Sequence, residues 1–598
     1  MIQQIDYYAI APPLILALTA GLVLLLDAFL PRRPYARPVL DAVTLAGVFG
    51  SLGFVVSQAL RDGPPIQTFC VPEGLAGPAR AGLGALTPAG GGIVAGRPLG
   101  AVAGPSCSFA VDGFTLIFAG LALVAGAVVV LLSMTELSSK DIPVGEWYFL
   151  LLCVLVGAVT LPAARDLIML VVALELVSLP VFALTALRRY DGRGSEAAVK
   201  LFLVSVVSTA VMLFGVSLLY GMTGTVYLDR LAQALREAPR ALDGPGMDPV
   251  STDGGAMETI ARIGDQWSSV PEYTSLQLVY DLPPVIPVAV VLVIAGFAFK
   301  VAAVPFHAWA ADVYQGAPLP VAALLSVISK AAGFAGLILV LVAALHSQIA
   351  TWAPIIAIVA ALTMTAGNLL ALRQRNAVRL LAWSSVAQSG YILAPLGVET
   401  PEAVGASITY LVFYAAMNLG AFTVVMLVSR RRERGELDDY RGLVFRNPAA
   451  GLALAFFLIC LAGLPPGLAG LFAKIVVFRE IVDGGGAWLA IVMAVNTVIG
   501  LYYYVAWAAR IFTPVRAAAD GTAAADGTAA ADGTAAREAD PAAAGESGTG
   551  AVPGAGGARG GWLPVGAAIV LTGVVALAFS VAPQLVLDLV PAFFTASR

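Results

Sequence analysis

Residues 461–478 read LAGLPPGLAGLFAKIVVF and residues 299–309 read FKVAAVPFHAW. Each is a helix-breaking interruption inside a long apolar run, and each carries one lysine, Lys474 or Lys300. Proline within a helix removes a backbone hydrogen bond and kinks the chain. In hydrocarbon, a backbone group freed in this way survives only where protein or a water-filled cavity surrounds it. Pro305 follows Lys300, whereas Gly463, Pro465, Pro466 and Gly467 precede Lys474. Broken helices at corresponding places in two halves are the expected trace of inverted repeats in membrane transporters. The correspondence is inexact, because the two lysines sit on opposite sides of their prolines.

Composition agrees with a membrane setting. In 598 residues, 59% are hydrophobic and only 12% are charged, far from the averages of soluble domains. A span needs about 20 mostly apolar residues. On that rule the chain gives segments near 9–30, 39–60, 110–133, 146–163, 166–187 and 197–221, then 284–311, 318–345, 352–372, 378–397, 402–429, 449–479, 485–512 and 563–590. The expected fold class is therefore an all-α polytopic membrane protein of about fourteen transmembrane helices. The first segment has no basic leader and no small-residue cleavage site, so it reads as a retained helix. Arginine clusters at Arg32/Arg33/Arg37, Arg188/Arg189/Arg193, Arg373/Arg375/Arg379 and Arg430/Arg431/Arg432/Arg434 fall on alternate connections, which marks those loops as cytoplasmic. Both termini, with the loops 61–109 and 222–283, then face outside. Residues 513–562 contain AAADGT three times in succession, a tract with too few large apolar groups to fold, and read as a disordered cytoplasmic linker.

Of the 34 basic residues only five are lysine, and Lys200, Lys300, Lys330 and Lys474 lie inside or at the border of apolar runs. A charge in hydrocarbon costs roughly 2.5 to 3.5 kcal/mol on insertion scales, so it is retained for a reason. A desolvated lysine can release its proton and arginine effectively cannot, which makes the preference read as proton handling. Lys330 is about 18 Å into its segment, too deep to snorkel. Lys200 begins its run, so an interfacial lysine competes with a functional one. Glu175 is the acid near the middle of a span, and its nearest candidate partner by topology is Lys200 on the next helix. His307, just after Pro305, reads either as a proton relay or as scaffolding for the break. Cys70 and Cys107 flank a Gly/Pro/Ala-rich stretch and either pair or stay as thiols according to which side the loop faces. No haem or iron–sulfur ligand spacing exists, so redox chemistry is not carried here. No basic stripe interleaved with aromatics suggests nucleic acid.

Three stretches then carry a family resemblance: VPFHAWAADVYQGAPLPVAALLSVISKAAGF at 304–334, RLLAWSSVAQSGYIL at 379–393 and LAGLPPGLAGLFAKIVVF at 461–478. They resemble the antiporter-like N subunits of NADH-quinone oxidoreductase, respiratory complex I, and the resemblance spans roughly 110–512. It implies two inverted five-helix repeats, with 1–109 as N-terminal helices and an outside loop, 110–345 and 346–512 as the two antiporter-like halves, and 563–598 as a C-terminal helix. It also implies a modulating pair Glu175–Lys200, a central proton site at Lys300, a connecting Lys330 and an exit-side Lys474. No cofactor or metal is implied in this chain. NADH, FMN, iron–sulfur clusters and quinone would sit in partner subunits, and the partners would be other membrane subunits, including sister antiporter-like ones, within a bacterial cell membrane. Where sister subunits carry a His-containing PTPVSALIHA-type stretch, this chain has LPVAALLSVISK, which favours the N type. Two rival readings are a subunit of a multi-component cation/proton antiporter and a passive membrane scaffold.

Overall fold

The computed structural model describes residues 5–30, 36–61, 63–71, 105–138, 142–188, 190–237, 284–430, 435–514 and 563–588. The expected linker from 515 to 562, most of the two expected outside loops (72–104 and 238–283), Arg32, Arg33, Arg189, Arg431, Arg432 and Arg434, and the end beyond 588 lie outside the described residues. The helices run α1 (Ala11–Phe29), α2 (Ala36–Ala59), α3 (Gly113–Leu137), α4 (Val144–Thr160), α5 (Leu167–Ala186), α6 (Gly192–Thr223), α7 (Leu228–Glu237), α8 (Val285–Lys300) and α9 (Trp309–Gly316). They continue as α10 (Leu319–Ala344), then α11 (Ile349–Ala371), α12 (Ala377–Leu393), α13 (Ala403–Ser429), α14 (Pro448–Ala462), α15 (Leu468–Asp483), α16 (Ala487–Phe512) and α17 (Leu563–Val581). Among the described residues eleven helices are long and apolar enough to cross a membrane, with Val285–Lys300 and Pro448–Ala462 as shorter apolar helices. Two of the three missing spans lie at the breaks, where one apolar run becomes two short helices; the third is the run near 378–397, whose helix Ala377–Leu393 is only 17 residues long.

Several starts follow from the sequence. Asp112, Asp166, Asp191 and Asn376 each cap a helix by accepting from backbone amides of its first turn, which satisfies donors that have no intrahelical partner. A feature the all-helical reading lacked is a two-stranded antiparallel sheet, β1 (Ile66–Val71) and β2 (Ser106–Val111). Cys70 lies opposite Cys107 and the two form a disulfide. The hairpin is tied to its surroundings by Arg230 Nε donating to Ser106 Oγ at 3.0 Å, and β2 leads into Asp112, which pairs with Arg165 at 2.5 Å.

Helix α13 is the axis of the bundle, with 94% of its apolar window buried inside the chain. Both breaks resolve their backbone inward. At the first, Val304 N–H donates to Thr363 Oγ1 at 2.9 Å and Ala303 N–H to the Ala298 carbonyl at 2.7 Å. At the second, Gly463 takes a left-handed φ of +83° that ends α14, and its N–H returns to the Ile459 and Cys460 carbonyls. Pro305, Pro465 and Pro466, which have no N–H to satisfy, occupy exposed positions. These backbone groups are thus satisfied within the protein while the prolines face outward.

Candidate functional site

Lys300, Lys330 and Lys474 are 7%, 2% and 8% exposed, so three lysine amino groups are held inside the bundle. Each is placed by an interruption. Lys300 is the last residue of α8, and Lys330 follows directly on a π-helical stretch, Leu325–Ser329, within α10. Such stretches cluster at functional positions because they redirect a side chain without ending the helix. Gly333, one turn after Lys330, lets α10 approach α8; a Cβ there would stand 3.1 Å from Lys300 Cβ. Lys474 lies on α15 just beyond the second break.

The partners of Lys300 are Ser178 Oγ at 2.6 Å, Ser205 Oγ at 3.2 Å and Glu175 Oε1 at 3.3 Å. An ammonium has three donors, and here all three find an acceptor. Glu175 also accepts from Thr209 Oγ1 at 2.8 Å. The expected Glu175–Lys200 pair is not formed in this structure. Lys200 is 44% exposed in its side chain and bridges Glu196 at 2.7 Å and Asp312 at 3.2 Å, while Arg379 holds the other oxygen of Asp312 at 2.7 Å. The reason is depth. Lys200 is only about 12 Å along α6 from Gly192, whereas Thr209, the α6 residue that meets Glu175, is about 14 Å further on. At Lys200's level the acids within reach are those of the surface.

Lys330 Nζ donates to Ser389 Oγ at 2.5 Å and to the Ser385 carbonyl at 2.6 Å. Ser389 Oγ in turn donates to the carbonyl of Val301, next to Lys300, at 2.6 Å. One serine therefore connects the surroundings of two lysines. Lys474 Nζ donates to the Ala462 and Leu461 carbonyls at 2.7 and 3.1 Å, the acceptors that the end of α14 leaves free. Between Lys330 and Lys474 runs a belt of polar side chains. Tyr414 O–H donates to Ser385 Oγ at 2.8 Å, and Tyr410 O–H to Gln388 Oε1 at 2.7 Å. Gln388 Nε2 donates to Tyr504 Oη at 3.3 Å, Tyr504 bonds Ser384, and Tyr503 O–H donates to Asn368 Oδ1 at 3.0 Å. Asn368 Nδ2 reaches Tyr391 Oη at 3.3 Å, and the Tyr391 ring lies 6.0 Å from Lys474 Nζ.

His307 is half-buried and packs edge-on against Trp383 at 5.6 Å; no hydrogen bond joins it to a lysine among the described residues. The charged members and the breaks are legible in the sequence; the serines and tyrosines between them are not among the residues it singles out. A signal existed in SSVAQSGY at 384–391, where polar residues recur on several faces of one apolar helix. No cluster of three or more His, Cys, Asp or Glu residues suited to a metal occurs among the described residues.

Residues 164–249 and 269–500 match the family described as the transmembrane segment of NADH:quinone oxidoreductase and Mrp antiporters. NADH-quinone oxidoreductase subunit N 2 of Streptomyces griseus is 44% identical over 530 residues, covering 87% of this chain and 85% of that relative. Subunit N of Salinispora tropica is 40% identical over 529 residues, covering 87% of each. A chain of respiratory complex I from Thermus thermophilus, solved with bound aureothin, superposes with a TM-score of 0.62 at 27% identity over 96% of this chain and 98% of that one. A chain of the Mrp complex from Dietzia shares the fold, with a TM-score of 0.69 at 20% identity over 98% of this chain and 99% of that one. The chain is a multi-pass membrane protein and belongs to the subunit N family of NADH-quinone oxidoreductase.

Proposed function

We propose that this chain is the antiporter-like, proton-translocating subunit N of a bacterial NADH-quinone oxidoreductase, and that Glu175, Lys300, Lys330 and Lys474 carry the protons. The observation that supports this most directly is the row itself: Glu175 bonded to Lys300, Ser389 bridging the surroundings of Lys300 and Lys330, and the amide and tyrosine belt reaching Lys474. The two antiporter-like halves, 110–345 and 346–512, each contribute a broken helix to it. Quinone reduction in partner subunits shifts charge along a line of buried ionisable groups that continues into this chain. A change of charge at Glu175 alters the proton affinity of Lys300 at 3.3 Å. Moving one charge against the membrane potential requires about 2.3 kcal/mol per 100 mV. That is about 1.7 pKa units at 1.36 kcal/mol each, a shift that a buried charge in contact can supply.

In this reading Lys200 acts from the surface, through Asp312 and Arg379, and modulates the α6 and α9 ends that flank Lys300. His307 remains a candidate relay at the first break. NADH, FMN, iron–sulfur clusters and quinone belong to the partner subunits, and sister antiporter-like subunits adjoin this one in the plasma membrane with both of its termini outside. The test is to purify the complex through a tag on this chain, reconstitute it, and follow NADH oxidation with proton uptake, alongside Lys330→Met. The expected result is quinone-dependent proton uptake that the variant impairs. Sodium-dependent transport without quinone would instead identify a cation/proton antiporter subunit, and full pumping by Lys330→Met would leave a passive scaffold.

A further inference from the structure

Asn418 lies in the middle of α13, is fully buried, and leaves both its Nδ2 and its Oδ1 without a hydrogen-bond partner. Its surroundings are fixed by the residues one turn to either side. Tyr414 points its hydroxyl at Ser385 Oγ, 2.8 Å, and at the Ser326 carbonyl, 3.1 Å, and its ring lies 5.9 Å from Lys330 Nζ. Phe422 packs on Tyr314 of α9 with ring centroids 6.5 Å apart. Residues four apart share one face of a helix. Asn418 therefore looks into the seam between α13 and the α9–α10–α12 group, about 6 Å from Tyr414 toward the Arg430 end of α13. Ser407 and Tyr410 continue the same face in the other direction, and the Ser407 hydroxyl is likewise unpartnered.

A leucine would fill this position without desolvating an amide, so two unmet polar atoms in the bilayer interior need an account other than packing. We propose that Asn418 is the gate of a proton inlet that reaches Lys330 from the Arg-bearing side of the membrane through Tyr414, independently of the Glu175–Lys300 pair. The amide can donate and accept at once, so it can hold one end of a short water file. Tyr414 can do the same at the next step, accepting a proton on its hydroxyl as it passes its own toward the Ser385–Lys330 group. In this conformation the amide is fully buried with neither polar atom bonded to protein, and the inlet is closed. Opening the seam would hydrate Asn418 and supply the partners it lacks, so the hydrated state is favoured by the same unmet groups that mark the closed one. The transfer is a proton relay only: a hydrated proton enters at Asn418, and the neutral amine of Lys330 ends as the ammonium.

This inference rests on the proposed role of Lys330, so its test includes that residue. Asn418→Thr and Asn418→Val have nearly the same shape and differ by a hydroxyl in place of a methyl. Both are placed in the full complex in inverted membrane vesicles, beside Lys330→Met, with assembly and NADH oxidation monitored and proton uptake read per NADH oxidised. The expected result is that Asn418→Val falls to the uptake of Lys330→Met while Asn418→Thr stays near wild type. Equal uptake by the threonine and valine variants, whether high or low, overturns the gate. Wild-type uptake by Lys330→Met overturns the lysine reading itself and is recognisable apart from the first result.

Discussion

Replacing Lys300 with arginine is expected to abolish most proton pumping even though the positive charge is kept. The ammonium of Lys300 is 7% exposed and uses its three donors on Ser178, Ser205 and Glu175. A carrier must lose its proton and regain it within each turnover. A guanidinium stays protonated at any physiological pH, so Lys300→Arg would lock the site in its charged form, and Lys300→Met would lock it neutral. Both variants should therefore fall together, with arginine at no more than about a tenth of wild type, the tenfold loss that 1.4 kcal/mol on a barrier produces. If Lys300 were only the counter-ion of Glu175, arginine would rescue and methionine would not, because removing one partner leaves the other charge unpaired. Proton uptake in vesicles, measured where the assembled complex is confirmed, separates the two outcomes. Near-normal pumping by Lys300→Arg rules out the carrier role.

That contrast was legible in the sequence because it depends on residue type and depth, which a linear reading gives. Lys300, Lys330 and Lys474 sit deep in apolar runs, and burial followed. The breaks were legible for the same reason: Pro305 and the Gly463–Gly467 stretch interrupt hydrocarbon-length segments, and two short helices replace each run. Partners were another matter. Glu175 and Lys300 are 125 residues apart, and only the tertiary packing of α5 on α6 and α8 brings them to 3.3 Å. Topological adjacency suggested Lys200 instead. That contact is not formed in this structure because neighbouring helices meet at matched depth, and Thr209 is the α6 residue at the level of Glu175. The belt from Ser385 to Tyr391 was missed because a serine or tyrosine in an apolar helix is compatible with hydrocarbon when it bonds locally. Only the partner across the interface reveals its use. The same holds for Cys70 and Cys107, whose pairing depends on the strand register that sets them opposite one another.

Gly470→Ala is expected to be the most disruptive small substitution in the chain. At this position α15 crosses the end of α14 with backbone against backbone, and a Cβ would stand 1.8 Å from the Cys460 carbonyl oxygen and 2.9 Å from its carbon. Gly467, one turn earlier, is also placed against the Cys460 backbone, less tightly, at 2.5 Å from its nitrogen. Neither contact can be relieved by rotating a side chain, so the two short helices would have to separate. Extra volume in a packed core costs about 1–3 kcal/mol, occasionally more, and a clash with backbone belongs at the upper end. The separation also acts on the chemistry. Lys474 lies one turn after Gly470 on the same face, and its ammonium reaches the Leu461 and Ala462 carbonyls at 3.1 and 2.7 Å only while α15 stays close. Gly470→Ala should therefore lower the amount of assembled complex and, in what does assemble, depress pumping more than NADH oxidation. Gly566→Ala is the matched control, since a Cβ there meets nothing within 4 Å. In a helix such a change is worth about 0.5–1 kcal/mol in favour of alanine. Thermal denaturation of the purified complex should move in opposite directions for the two variants. A Gly470→Ala complex that assembles, melts and pumps like wild type would mean that α14 and α15 are not held together at Cys460, and that Lys474 is positioned by something other than the break.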